Sequence, residues 1–353
     1  MSAPFRAVSV LILLLTGASA PGMENVAAAQ PESGRPPKVR LIATGGTISN
    51  RSGGRLSADD LLRLIPNLDR YARAEAEQFA NVASSSLTLQ QWLELARRIN
   101  TLFRDDTELA GVVVTSGTDT LEEVAYFLNL TVRTDKPVVV VGAMRNPSTL
   151  GYEGPANLLE GIRVAADPFS RGRGVLVVLN DEINAAREVT KTDALRLHTF
   201  QSRGYGVLGV VDSDRVVYYR DVVKRHTRNT EFDVSAIERL PRVDIVMVYQ
   251  DASGDIIKAL ADAGAAGIVI ASAGAGALSG TQDEGVRYAV SKDVVVVITT
   301  RTGSGRIAAG RSSNRGARIQ GEDLQPLKAR VLLMLALAHT KDSAEIQRMF
   351  TEY

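Results

Sequence analysis

The chain has 353 residues, enough for two domains of ordinary size, and its 41 lysines and arginines nearly balance its 40 aspartates and glutamates. This balance provides no strong field for nucleic acid or anionic lipid, so we expect a small substrate and no nucleic-acid partner. Cysteine is absent, which excludes disulfides, thiol nucleophiles and thiolate metal sites. The only histidines, His198, His226 and His339, lack metal-ligand spacing, so the sequence disfavours zinc.

Residues 1–29 have the pattern of an export signal. Arg6 supplies a positive charge, residues 8–15 are almost uninterruptedly apolar, and residues 18–20 and 27–29 are two small-residue cleavage sites. The apolar run is shorter than the roughly 20 residues of a membrane anchor. We therefore expect a signal peptide over residues 1–29, a periplasmic or secreted mature protein, and no membrane association after cleavage.

Short apolar runs alternate with helical periodicity from Val39 onward, which is typical of a parallel sheet with crossover helices. The runs are rich in Val, Ile and Leu, as expected for strands buried on both faces, and they predict strands over residues 39–44, 111–115, 137–141 and 174–179. A polar stretch rich in proline and glycine, residues 30–37, precedes them.

A helix is predicted between the second and third of these strands, because Leu121, Val124, Ala125 and Leu128 share one helical face. At its start Thr120 and Glu123 have the spacing of a capping box. Another helix is expected near Ala58, and a third carries Trp92 on its buried face. The helix after Thr118 and Asp119 would direct its backbone N–H groups at a developing negative charge.

The second half repeats the alternation after a charged connector. Residues 220–241 lack periodicity and are predicted to be an interdomain linker. Predicted strands then cover residues 243–249, 267–271 and 294–299, and predicted helices cover 255–263, 284–290, 328–339 and 344–350. The predicted fold class is therefore α/β, with a larger, mostly parallel N-terminal domain with crossover helices over 38–219 and a smaller C-terminal α/β domain over 242–353.

Two threonines follow apolar strands at small-residue turns. Thr47 ends the run Thr-Gly-Gly-Thr after the first strand, and Thr118 lies in Ser-Gly-Thr-Asp after the second. Open α/β sheets keep their sites at such carboxyl ends. A threonine hydroxyl needs a base to act as a nucleophile, and Asp119 and Lys191 are the candidates. A neutral lysine oriented by a carboxylate can replace the histidine of a Ser-His-Asp triad, and the glycines allow an oxyanion hole.

Further motifs give the chain a clear resemblance: over residues 39–353 it is similar to the bacterial type II L-asparaginases, exported amidohydrolases that convert asparagine to aspartate and ammonia. The resemblance is carried by these segments: Thr-Gly-Gly-Thr-Ile (44–48), Gly-Thr-Asp-Thr (117–120), Asp-Lys-Pro-Val-Val (135–139), Gly-Ala-Met-Arg (142–145), Gly-Pro-Ala-Asn (154–157), Val-Thr-Lys-Thr (189–192) and Lys-Ala-Arg-Val-Leu-Leu (328–333). It implies an asparaginase-like fold without metal or organic cofactor.

The resemblance also implies a role for each matching site residue. Thr47 would be the nucleophile that forms an acyl-enzyme, and Thr118, Asp119 and Lys191 would be the second hydroxyl with its activating pair. For substrate binding, the resemblance implies that Ser84 binds the α-carboxylate and that Asp119 binds the α-ammonium. It also implies that Thr118 contacts the substrate, that Ser85 lies beside the α-ammonium, and that Ala143 lies near the side-chain amide. The implied assembly is a homotetramer of two intimate dimers, with each site completed by the partner.

The chain departs from this family pattern around the nucleophile. The family carries a longer lid with a tyrosine after the nucleophile, but no tyrosine lies between Thr47 and Tyr71. Residues 301–311 contain no acid where the family has a glutamate, and Ala277 and Ser116 replace polar groups. These changes predict retained chemistry with altered substrate preference, weaker binding of free asparagine, and Arg51 or Arg55 covering the site.

The leading functional hypothesis is therefore an amidohydrolase that acts on a small amino-acid amide, L-asparagine, with glutaminase activity as a side reaction. Two alternatives remain open on the sequence. One is an exported amino-acid-binding protein, because two α/β domains can also enclose an amino-acid-sized cleft. The other is a catalytically slow member of the same family.

Overall fold

Alternating strands and helices account for most of the described chain. The structure, a computed structural model, describes residues 34–308 and 318–353; the predicted signal peptide and most of the lead-in lie outside these ranges. The strands are β1 (Lys38–Gly45), β2 (Asn50–Arg51), β3 (Gly54–Arg55), β4 (Arg73–Val82), β5 (Leu109–Thr115), β6 (Val138–Val141), β7 (Val175–Leu179), β8 (Glu182–Ala185), β9 (Thr190–Lys191), β10 (Phe200–Gln201), β11 (Gly209–Val211), β12 (Val216–Tyr218), β13 (Val243–Met247), β14 (Gly267–Ser272), β15 (Val295–Thr300) and β16 (Arg318–Gln320). The helices are α1 (Ala58–Arg63), α2 (Leu89–Asp105), α3 (Leu121–Thr131), α4 (Gly154–Ala166), α5 (Asp255–Asp262), α6 (Gln282–Ser291), α7 (Pro326–His339) and α8 (Ser343–Glu352).

Two sheets organise these elements. The larger has eight strands in the order β12-β11-β8-β7-β6-β5-β1-β4, of which β4, β1, β5, β6 and β7 are mutually parallel and the remaining three are antiparallel. The smaller is a parallel four-stranded sheet in the order β13-β14-β15-β16. The predicted fold class, a larger mostly parallel N-terminal unit and a smaller C-terminal α/β unit, is confirmed.

Apolar side chains cover both faces of the larger sheet. One core packs α2 and α3 against it and continues through α7 and α8 to the smaller sheet. A second core lies under α1 and α4, and a third lies under α5 and α6 in the C-terminal part. Because the parallel strands are buried on both faces, their apolar runs were readable in the sequence.

The N-terminal part has elements that the sequence did not predict, among them α4 and the strands β4, β8, β11 and β12, and the predicted start of α3 differs. Strand β4 was not predicted, because its charged residues alternate with small ones at the edge of the sheet. The prediction of a capping box at the start of α3 is wrong. Among the described residues, the buried Thr120 hydroxyl has no hydrogen-bond partner. Thr120 lacks the extended backbone of an N-cap, with φ −125 and ψ 15, and the Glu123 carboxylate instead lies 3.6 Å from Arg330.

A buried carboxyl on α4 predicts a pH-dependent stability. Burial, together with the neighbouring Asp181 carboxyl, raises the pKa of Glu160 from 4.5 to about 8. Folding therefore takes up a proton between these values, and the stability it contributes at low pH is lost as the pH rises towards 8. We expect Glu160→Gln to match the parent near pH 4 and to exceed its free energy of unfolding by about 1–3 kcal/mol near pH 8, measured by urea unfolding.

The exposed helical residue Glu94 provides the control for this prediction. Glu94→Gln is expected to change the free energy of unfolding by less than about 0.5 kcal/mol at either pH. A Glu160→Gln effect of equal size at both pH values would show that folding does not raise the pKa of Glu160.

Candidate active site

Four neighbouring parallel strands end at the same edge of the larger sheet. In the order β4, β1, β5 and β6, their carboxyl ends lead to Ser84, Thr47, Thr118 and Ala143. This is the edge where open parallel sheets bind ligands. The sheet topology therefore brings together the four separate sequence segments that carry the predicted site.

The turns after β1 and β5 are in very close contact. A Cβ atom on Gly46 would lie 2.4 Å from Gly117 Cα, and one on Gly117 would lie 2.8 Å from the Ser84 side chain. Gly46 also has φ 84, a backbone conformation that other residues rarely adopt. The two hydroxyl-bearing turns and Ser84 can approach one another only because these positions lack side chains.

Thr47 begins a short 3₁₀ turn, Thr47–Ser49, and is half-buried. The turn is held through the carbonyl of Gly46, which accepts a hydrogen bond from Ser49 Oγ at 3.2 Å and one from Arg55 Nη1 at 3.3 Å. Arg55, one of the two arginines expected to cover the site, therefore contacts the turn that carries Thr47, while Arg51 is exposed; whether either covers the site stays a prediction. The residues that follow this turn form the short antiparallel hairpin β2–β3.

The lysine contacts the second threonine and its neighbouring acid. Lys191 Nζ donates to Thr118 Oγ1 at 3.1 Å and to Asp119 Oδ1 at 2.7 Å. Thr118 is buried, only 15% of the Lys191 side chain is exposed, and 76% of the Asp119 side chain is exposed. The cluster is thus closed on the threonine side and open to solvent at Asp119, where a small cationic group could enter.

The remaining predicted residues line the same edge. Ser84 is half-buried at the start of the turn Ser84–Ser86, and Ser85 beside it is exposed. Ala143 is fully buried in the segment after β6, and a Cβ on the preceding Gly142 would lie 3.2 Å from Thr118 Cγ2. The structure places all seven predicted residues around one edge, while their individual roles stay predictions.

Sequence reasoning missed a buried pair behind the lysine. Glu122 Oε1 accepts hydrogen bonds from Thr190 Oγ1 at 3.0 Å and from Lys191 N at 3.1 Å, so it holds the short strand that carries Lys191. Lys328 of α7 lies 4.0 Å from the other oxygen of Glu122 and donates to the carbonyls of Arg187 and Val189. Burial lowers the pKa of Lys328 to about 8.

Both members of this pair lie in or beside sequence motifs that carry the family resemblance. Glu122 follows the Gly-Thr-Asp-Thr motif by two residues, and Lys328 opens the Lys-Ala-Arg-Val-Leu-Leu motif. Through this pair the C-terminal part of the chain supports the strand bearing Lys191.

Neither a metal cluster nor a membrane helix is found in the part of the chain that the structure describes. Within residues 34–308 and 318–353, no three His, Asp or Glu side chains are grouped so that they could hold a metal ion. Over the same ranges no helix combines the length and the apolar character that crossing a bilayer requires.

The fold and the site together define a class of α/β enzymes in which a lysine and a carboxylate lie beside hydroxyl groups at strand ends. This arrangement is suited to nucleophilic attack on amides or esters. Within this class, the chain belongs to the asparaginase family. The family model "Asparaginase, N-terminal" matches residues 38–224, and "Glutaminase/Asparaginase C-terminal domain" matches residues 242–350.

Individual relatives are similar over almost the whole chain. L-asparaginase 2 of Bacillus subtilis is 42% identical, with 90% of this chain and 87% of that protein covered. Glutaminase-asparaginase of Pseudomonas fluorescens biotype A is 37% identical over 89% of this chain and 90% of that protein. The crystal structure of a probable cytoplasmic L-asparaginase from Campylobacter jejuni is 41% identical, with a TM-score of 0.86 over 90% of this chain and 100% of that one.

These comparisons correct the predicted location. The expectation of a periplasmic or secreted protein is wrong, because the similar solved structure is that of a protein described as cytoplasmic. The pattern behind the expectation, residues 1–29, lies outside the described residues. A short apolar run followed by small residues is a purely local sequence signal.

Proposed function

We propose that this chain hydrolyses the side-chain amide of L-asparagine to L-aspartate and ammonia through a threonine acyl-enzyme. The observation that carries the proposal is the contact of Lys191 with both Thr118 and Asp119 at a turn packed directly on the Gly46-Thr47 turn. Membership of the asparaginase family supports the choice of substrate, since relatives are named for asparagine and glutamine hydrolysis.

The first half of the reaction forms an ester on Thr47. Thr47 Oγ1 attacks the amide carbon, and its proton passes through the Thr118 hydroxyl to Lys191 in its neutral form. Lys191 returns that proton by the same route to the amide nitrogen as the carbon–nitrogen bond breaks, and ammonia leaves. Asp119 orients the lysine and stabilises its cationic form. Backbone N–H groups of the glycine turns are suited to stabilise the oxyanion.

The second half returns the enzyme to its starting state. A water molecule gives one proton to Lys191 and attacks the ester carbon, and the ester oxygen takes that proton back as Thr47. Aspartate is released, so one water is consumed for each amide cleaved. Because the described contacts of Lys191 reach Thr118 rather than Thr47, the second threonine is assigned the proton-relay role.

Recognition of the amino-acid backbone is assigned to the exposed side of the cluster. Asp119, with most of its side chain in solvent, would pair with the α-ammonium, and Ser84 would donate to the α-carboxylate. Ser85 provides only a neutral hydroxyl at the ammonium position, so we propose a weaker hold on free asparagine and an altered preference among amides. Glutamine, one methylene longer, is the first candidate for a side reaction.

A panel of amides assayed for ammonia tests this proposal. We expect release from L-asparagine, with slower release from L-glutamine, and no dependence on added metal or cofactor. The mirror-image D-asparagine is the matched control. It keeps the side-chain amide but exchanges the positions of the α-ammonium and α-carboxylate groups that Asp119 and Ser84 would bind. Thermal stabilisation by asparagine without any ammonia would indicate a binding protein instead and would contradict the proposal.

A further inference from the structure

A tyrosine from a distant segment reaches the turn that carries the nucleophile. Tyr152 Oη donates a hydrogen bond to the carbonyl oxygen of Ile48 at 2.6 Å, one residue beyond Thr47. A second contact joins the same two segments, since Ser52 N donates to Ser148 Oγ at 2.9 Å. The chain between β6 and α4 therefore holds the start and the hairpin of the segment that follows Thr47.

The surroundings of Tyr152 fix its ring in this direction. The side chain is half-buried, and a Cβ atom on Gly154 would lie 2.2 Å from the ring, so the ring occupies space that only a glycine leaves open. Burial raises the pKa of Tyr152, so the hydroxyl keeps its proton at neutral pH and acts as the donor. Tyr152 is therefore the donor in its contact with the Ile48 carbonyl.

The loop between β6 and α4 also contacts the backbone that follows Ala143, the residue expected to lie near the substrate's amide. The Glu153 carboxylate accepts hydrogen bonds from the backbone N–H groups of Met144 and Arg145, directly after Ala143. Tyr152 and Glu153 are adjacent, so one short piece of backbone connects the Ala143 segment with the Thr47 turn. A shift of either segment would be transmitted to the other.

We propose that Tyr152 is a positioning residue that holds the Ile48 carbonyl and thereby fixes the direction of the Thr47 hydroxyl before substrate binds. It acts through the backbone, not on the reacting atoms. The inference rests on the proposed function, because Thr47 must be the nucleophile for its direction to matter. No tyrosine lies between residues 47 and 71, and the tyrosine contact to this segment comes from Tyr152, outside it.

Removal of the hydroxyl alone tests the proposal. Tyr152→Phe keeps the ring against Gly154 and deletes the donor. We expect kcat for asparagine to fall by about 10- to 100-fold with KM within about threefold, because small misplacement of a nucleophile costs turnover more than binding. Backbone amide exchange over residues 47–56 should become at least about tenfold faster.

Tyr218→Phe is the matched control. The Tyr218 hydroxyl also makes a hydrogen bond, to Ser170 Oγ at 2.7 Å, but β12 is an edge strand separated from β1 by five other strands. This variant should lose a comparable hydrogen bond while keeping kcat within about twofold and leaving the exchange of residues 47–56 unchanged. A general loss of stability would affect both variants alike.

Either of two results would overturn the proposal: a Tyr152→Phe kcat equal to that of Tyr218→Phe, or unchanged amide exchange over residues 47–56. The exchange measurement does not need turnover. If the parent protein released no ammonia, the proposed function would fail, whereas faster exchange confined to Tyr152→Phe would still support the holding contact.

Discussion

Thr47→Ala is expected to lower kcat for asparagine by at least about 1,000-fold while leaving the protein folded. The substitution removes the atom that would form the ester, while Thr118 keeps its proposed role in the proton relay with Lys191. Thr47 is half-buried, and the N-cap of its 3₁₀ turn is Gly46 and not Thr47, so the melting temperature should change little. Ammonia release and thermal unfolding of the same preparation check both statements.

Thr47→Ser is the matched control for this result. Serine keeps a hydroxyl on the same carbon and loses only the methyl group, so a measurable fraction of the activity should remain. If Thr47→Ala kept activity within tenfold of the parent, Thr47 could not be the nucleophile, and Thr118 would become the candidate.

Lys191→Met is expected to lower kcat by about 100- to 10,000-fold, the range typical for loss of a general base. Methionine preserves much of the length of the side chain but can neither accept the proton relayed through Thr118 nor pair with Asp119. Asp119 would then be free to bind the α-ammonium more tightly, so KM should stay level or fall. Steady-state kinetics with asparagine separates these two effects.

An exposed ion pair elsewhere controls for the loss of a lysine. Lys258 lies 3.2 Å from Asp255 on the surface of α5, and Lys258→Met should leave kcat within about twofold. A loss in Lys191→Met that appears entirely in KM would contradict a role in proton transfer and would indicate substrate binding instead.

The parts of the fold and site that the sequence predicted are those governed by local pattern. Buried parallel strands such as β1 and β5 produce uninterrupted apolar runs, and the turns that follow them show small residues with hydroxyl groups. Because parallel strands end at a common edge, the nearness of Thr47 and Thr118 followed from the fold class alone. Lys191 was found through its motif, and the structure places it on Thr118.

The parts that the sequence did not predict depend on long-range neighbours. Strand β4 alternates charged and small residues because it lies at an edge of the sheet, and this pattern resembles an exposed segment. Lys328 reads as an ordinary helix lysine until the fold buries it beside Glu122. Tyr152 is separated from Ile48 by about a hundred residues, so no spacing rule could have connected them.

The covalent state of the enzyme during turnover shows whether an ester forms on Thr47. Asparagine is mixed with the parent protein, the reaction is stopped with acid within one turnover, and the protein is examined by intact mass and peptide mapping. The account predicts an aspartyl ester on the peptide that contains Thr47, absent from Thr47→Ala. An ester on the Thr118 peptide, or ammonia release in a burst with no ester on any threonine, would contradict it.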